Sequence, residues 1–278
     1  MSERPQWVPE DWLLYSRGYD LGGEVPEGVQ GAFDHSDPWI RVVAITMAAM
    51  SGDLSRVDDL FDVASSTDDL HLADCALRVF AQAASPSKVG RLAVFFDHPE
   101  FDVRVTAYQG AMMSAHLPLV RTLAASREGK DDAERSLIEV RISTMLEGIE
   151  DGDFIVEEDA IITNQAYQEK VNRRVQDLQV RHGMDQAVHF GAPLDVFALS
   201  QAIREFLDED DPSEWGGAIS DLLDTLAGMI GLNVVGCMDD DVEPVVPKIK
   251  EILADLRRDP KLLKVQNGKR SFFCHPVG

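Results

Sequence analysis

A helical pattern returns every 31 or 32 residues between Asp37 and about Glu147, and this period limits the available folds more than any other feature of the sequence. Asp37-Pro38-x-x-Arg41-x-x-Ala44 is followed by Asp69 and Ala76, then Glu100, Arg104 and Ala107, then Asp131 and Arg135. Downstream, Val57 and Leu60 are matched by Val89 and Leu92 and again by Val120 and Leu123. Two amphipathic segments in one register predict stacked helical hairpins, because so short a unit cannot bury its apolar face without a neighbour.

First helices are predicted over 38–50, 70–83, 101–115 and 132–146. Their apolar residues, such as Val43, Ala44, Met47 and Ala48, fall at helical spacing, which predicts one stripe packed inward. Ala44, Ala76 and Ala107 allow paired helices to approach closely. Asp37 and Asp69 sit where an N-cap accepts orphan backbone N–H groups. Ser51-Gly52-Asp53, Ser85-Pro86-Ser87 and His116-Leu117-Pro118 separate these helices from the second ones. The fixed place of Arg41, Arg104 and Arg135 predicts pairing with carboxylates between repeats.

The copies 37–44 and 101–107 resemble a HEAT-type repeat, in which an Asp-Pro or Asp-x pair opens a helix with an Arg and then an Ala at set positions. The second copy departs from it with Ala73 in place of the Arg, and the fourth with Ile138 in place of the Ala. The resemblance covers roughly 110 of the 278 residues and implies that second helices line a concave face. That face would present Arg56, Asp58, Asp59, Asp62, Lys88, Arg91 and Arg121, a mixture suited to a polar protein partner.

Charge narrows the partners. A net charge of −23 opposes binding to phosphate backbones or anionic membranes, so neither nucleic acid nor membrane is expected, and a basic protein partner is favoured. Cys75, Cys237 and Cys274 form no motif, which suits reduced thiols and a cytoplasmic location. The start, Met1-Ser2-Glu3-Arg4-Pro5, lacks the pattern of a signal peptide, and the longest nearly apolar run, Leu226 to Met238, is too short to span a bilayer.

The remaining chain divides around the repeats. Residues 1–36, with Trp7, Trp12, Tyr15 and Tyr19, are expected to cap the first of about four hairpins in 37–148. An acidic stretch beginning at Glu147 reads as a linker that ends the regular array, and the acidic linker with the polar helix from Thr163 to His182 is assigned to 149–194. A C-terminal helical unit, 195–278, begins at the cap residue Asp195. Its acidic runs, including Asp210, Asp211 and Asp240, form a competing patch for a cationic partner. The predicted fold is all-α: a HEAT-like helical-hairpin solenoid with an N-terminal aromatic cap, a second helical unit and a short extended C-terminal tail folded back on the array.

That tail, with Lys269-Arg270-Ser271-Phe272-Phe273-Cys274-His275-Pro276, resembles the C-terminus of some immunity proteins from bacterial polymorphic-toxin systems. Ser271 and Cys274 stand where Tyr and Gly are expected. The resemblance implies a chain that binds and inhibits a cognate toxin enzyme.

Catalytic motifs are scarce. Gly-x-Ser-x-Gly, His-Glu-x-x-His, Cys-x-x-Cys and Gly-x-Gly-x-x-Gly are all missing from the sequence. His98-x-Glu100-x-Asp102 is the densest metal-like group, but Pro99 marks it as a repeat junction of turn and capping residues. No catalytic, cofactor or metal residues are predicted. A general scaffold or regulatory subunit is the alternative to an inhibitor, and a bilin-lyase-like enzyme, with a deep pocket and paired acidic residues, is a third.

Overall fold

The computed structural model describes residues 28–147, 153–156, 162–208, 217–231, 250–251, 253–254, 256 and 259–278. The aromatic cap residues Trp7 to Tyr19, the acidic residues at 150–151, 157–159, 209–211 and 239–241, and Cys237 lie outside them. The described chain is mostly helical. Ten helices are described: α1 Pro38–Met50, α2 Val57–Ser66, α3 Leu70–Ala83, α4 Pro86–Val89, α5 Phe101–Met113, α6 Leu117–Ser126, α7 Asp132–Leu146, α8 Asn164–His182, α9 Val196–Asp208 and α10 Gly217–Ile230. Among the described residues no helix is long and apolar enough to cross a membrane.

The helix starts follow from capping chemistry. Asp37 accepts from the Trp39 amide at 2.9 Å, Asp69 from His71 and Leu72, Asp131 from Glu134 at 2.8 Å, and Asp195 from Phe197 and Ala198. Each bond pairs an amide that the first turn leaves without a helical acceptor. Helix α5 stops at Met113, short of the predicted Ala115, because Ala115 turns to a φ of 51°.

The second helix of the second repeat is not a regular α-helix. After the single turn of α4, Gly90–Asp97 winds as a 3₁₀ helix. Val89, Leu92 and Phe95 recur every third residue and are all buried. In a 3₁₀ helix residues three apart eclipse, so this spacing puts all three on one face.

Helices α1, α3, α5 and α7 pack side by side, with α2, the 3₁₀ segment and α6 against them, and α8 against α6. Phe61 of α2 joins Phe80 of α3 at 5.4 Å and Phe95 of the 3₁₀ segment at 5.3 Å. Fully burying a ring such as Phe80 stabilises by roughly 1.5–3 kcal/mol. Helix α10 lies across α3, α5 and α7 on their other side. The first helices are therefore packed on both sides, and Arg141 of α7 is only 3% exposed.

The repeat arginines mostly pin their own loops. Arg41 donates to the His35 carbonyl, Arg104 to those of His98 and Pro99, and Arg135 to that of Lys130. Arg104 also pairs into the next repeat, its guanidinium holding Glu134 at 2.6 and 2.9 Å. Glu147, the first residue of the acidic stretch, is part of the packed fold. It is buried, and its carboxylate accepts from the amides of Asp153 and Phe154.

Two short antiparallel hairpins complete the described fold. Strands β1 Val188–His189 and β2 Ala192–Pro193 form one, and β3 Ser271–Phe272 and β4 His275–Pro276 form the other. The second is the extended tail, folded back on α3 and α10.

Candidate functional site

Six of the seven second-helix residues predicted to contact a partner come together on α2, α4 and the 3₁₀ segment, and they pair with one another. Lys88 meets Asp58 at 3.1 Å and Arg91 meets Asp62 at 2.9 Å, so α2 is tied twice to the following repeat. Arg56 holds Asp59 at 2.5 Å and Asp34 at 2.7 Å. The hydrogen bond from Arg56 keeps the Asp34 carboxyl below its usual range, and the same bonds push Arg56 up. Arg91 also stacks 3.7 Å above the Phe61 ring, and Arg56 lies 5.5 Å from the centroid of Phe33. Val94, 71% exposed, stands beside them on the 3₁₀ segment. The face is thus an ordered array of both signs of charge, not the acidic surface that three aspartates on one helix suggest.

Arg121, the seventh, sits apart. It donates to Gln179 of α8 at 2.9 Å, in a groove of about 730 Å³ that is also lined by Asn172, Gln176, Val180 and Met184. Arg127, at the end of α6, ties two helices together: it pairs with Glu139 of α7 at 2.5 Å, both about 5% exposed, and donates to Asn164 at the start of α8. Asp210, Asp211 and Asp240 lie outside the described residues.

A charged group that sequence reasoning missed lies between α10 and the first helices. Arg78 of α3 reaches Asp74 at 3.0 Å, Asp224 of α10 at 2.5 Å and Gln109 of α5 at 3.0 Å. Thr106 of α5 donates to Asp74 at 2.5 Å. Arg141 of α7 stands 2.8 Å from Asp221 of α10. Burial pushes Asp221 and Asp224 up to about 6 against the pull of the two arginines, and it drives Arg141 down. Gly228 makes this approach possible, since a Cβ there would lie 1.3 Å from Gln82 Oε1. The only sequence signal was the register: Arg78 and Gln109 occupy equivalent positions of successive repeats. Asp221 and Asp224 are paired acids, the residue type expected of a lyase pocket, but at 1% and 8% exposure they are enclosed between helices.

The remaining candidates resolve as structural parts. His98 Nδ1 accepts from the Glu100 amide, a turn contact at the repeat junction, and among the described residues no His, Cys, Asp or Glu group is arranged to hold a metal. Cys75 and Cys274 are both buried. His189, fully enclosed beside the Met112 carbonyl, is pushed down to about 4 by burial. Comparison with known proteins found no matching family model, no matching curated protein and no matching solved structure.

Proposed function

We propose that this chain is a HEAT-like helical-repeat protein that works by binding another protein, and that its partner is a toxin enzyme it inhibits as an immunity protein does. The proposed organisation is a cap over 1–36, hairpins over 37–148, a linker with its helix over 149–194 and a C-terminal unit over 195–278, in a protein acting in the cytoplasm. The observation that carries the reading is the paired array on the second helices. Side chains already held by cross-repeat ion pairs and ring stacking lose little freedom when a partner docks. An inhibitory complex of ordinary size covers roughly 800 Å² on each partner, which several repeats can supply. The net charge of −23 speeds encounter with a basic enzyme.

The test is recovery of the tagged chain from its native cells at moderate salt, with identification of what accompanies it. A stoichiometric enzyme whose toxicity the chain relieves on co-expression supports the reading. A non-toxic protein partner replaces it with a scaffold, and a bound small molecule replaces it with an enzyme. With the partner in hand, Asp58→Lys, Asp59→Lys and Asp62→Lys together are expected to weaken binding at least tenfold with helicity unchanged. Unchanged affinity removes this face.

A further inference from the structure

The two hairpins share one construction. Each turn places two consecutive residues at positive φ: Phe190 and Gly191 at 52° and 65°, Phe273 and Cys274 at 49° and 62°. Such a pair is the type I′ turn of two-residue hairpins, and a bulky residue in its first position is rare. Both hairpins have phenylalanine there. Proline follows three residues later in both, at Pro193 and Pro276, while the other side chains of 188–193 and 271–276 differ.

Their docking matches in detail. The amides of Phe190 and Gly191 donate to the Thr144 and Met145 carbonyls at the end of α7, at 2.9 and 3.0 Å. The amides of Phe273 and Cys274 donate to the Gly228 and Met229 carbonyls at the end of α10, at 2.7 and 2.8 Å. Each turn therefore pairs carbonyls that a helix end leaves without partners. Each hairpin also grips a second helix end. His189 Nε2 lies 2.9 Å from the Met112 carbonyl near the end of α5, and Arg270 donates to the carbonyls of Ala81, Gln82 and Ala84 at the end of α3.

We infer that residues 188–193 and 271–276 are two copies of one helix-end clasp, and that the second copy is a strap holding α10 against α3, α5 and α7. The strap is anchored at further points. Gly268 exchanges backbone hydrogen bonds with Ala187 and Leu194 of the first clasp, and His275 packs so closely on Gly52 that a Cβ there would lie 2.7 Å from its ring. A cleft of about 370 Å³ runs along one edge, lined by His116, Gln186, Lys264, Lys269 and Val277 among others, so this edge is open to solvent. Because α10 carries Asp221 and Asp224, the strap holds them in contact with Arg141 and Arg78.

Deuterium exchange on the full chain tests this. Cys274→Val puts a β-branched residue at positive φ, so α10 amides are expected to exchange at least tenfold faster while α6 amides keep the wild-type rate. Unchanged α10 exchange, or α6 accelerating equally, overturns the strap. Gly191→Ala tests the first copy, since its Cβ would stand 2.7 Å from the Leu146 carbonyl, and it is expected to loosen the end of α7 in the same selective way. If Cys274→Val does not fold, Cys274→Gly gives the second turn the residue found in the first. Retained α10 protection in that variant supports the duplication, and lost protection overturns it.

Discussion

Two residues apart on α3, Phe80 packs 5.4 Å from the Phe61 ring of α2, whereas Arg78 reaches Asp224 of α10 at 2.5 Å. Two helical positions are about 200° apart, so the two contacts lie on opposite sides of one layer. The α2 side is closed by Leu60, Phe61, Phe80, Phe95 and Leu92, while the α10 side is centred on Asp74, Arg78, Gln109, Arg141, Asp221 and Asp224. The apolar side is closed to water while Asp74 and Arg78 leave the charged side partly open, and the two fail differently. An apolar contact that loses a side chain leaves a cavity, whereas an ion pair that loses one member leaves a desolvated charge.

The largest effects should separate these two failures. Arg141→Ala is expected to cost about 3–5 kcal/mol in chemical denaturation because Asp221 stays buried without its cation. Arg141→Met combined with Asp221→Leu should recover most or all of that loss, since well-packed apolar pairs commonly match buried ion pairs. Phe80→Ala should cost a similar 3–5 kcal/mol, but no mutation of a facing charge can restore it. Recovery of both by the same strategy would erase the distinction between the two sides.

A smaller effect concerns pH. Asp221 and Asp224 titrate near 6 in the fold against 3.8 for the free group, so the folded state binds the extra proton between these values. Their contribution is fully present below pH 3.8 and is lost as pH rises through 6, by roughly 1–3 kcal/mol. His116 and His189, depressed to about 4 by burial, act oppositely: their contribution is present above 6.5 and lost as pH falls through 4. The carboxylate part is isolated by comparing urea midpoints of the wild type and Asp221→Asn from pH 4 to 7. The difference should change across this range in favour of Asp221→Asn, and a constant difference counts against a raised Asp221. The smallest effect is expected at the half-exposed pair of Lys88 with Asp58, where Lys88→Ala should cost less than about 1 kcal/mol.

Much of the fold was legible because local chemistry decides it. The bounds of α1 and α3 follow from Asp37 and Asp69 as caps, that of α7 from the repeat register, and α8 ends where Gly183 takes a φ of 101°. The 3₁₀ segment was hidden because Val89, Leu92 and Phe95 fit an amphipathic α-helix nearly as well. The first hairpin was hidden because Phe190 is a poor signal for positive φ. The charged layer was least legible. Nothing in the sequence marked Arg78, Gln109 and Arg141 as members of one group, and only the placement of α10, distant in sequence, brings Asp221 and Asp224 to them. Arg56, Asp58, Asp59, Asp62, Lys88 and Arg91 stand on or beside α2, α4 and the 3₁₀ segment, and their mutual pairing depends on the distance between repeats, which a linear sequence does not contain.

Helix α10 covers the first helices through specific charge pairs, and a double-mutant cycle of Arg78→Ala and Asp224→Ala, measured by urea denaturation, tests this most directly. A coupling of about 1–3 kcal/mol is predicted for groups in contact across the α3 and α10 interface. Purely additive losses would mean that the two side chains do not meet, and that the second face of the helical layer is not closed in this way.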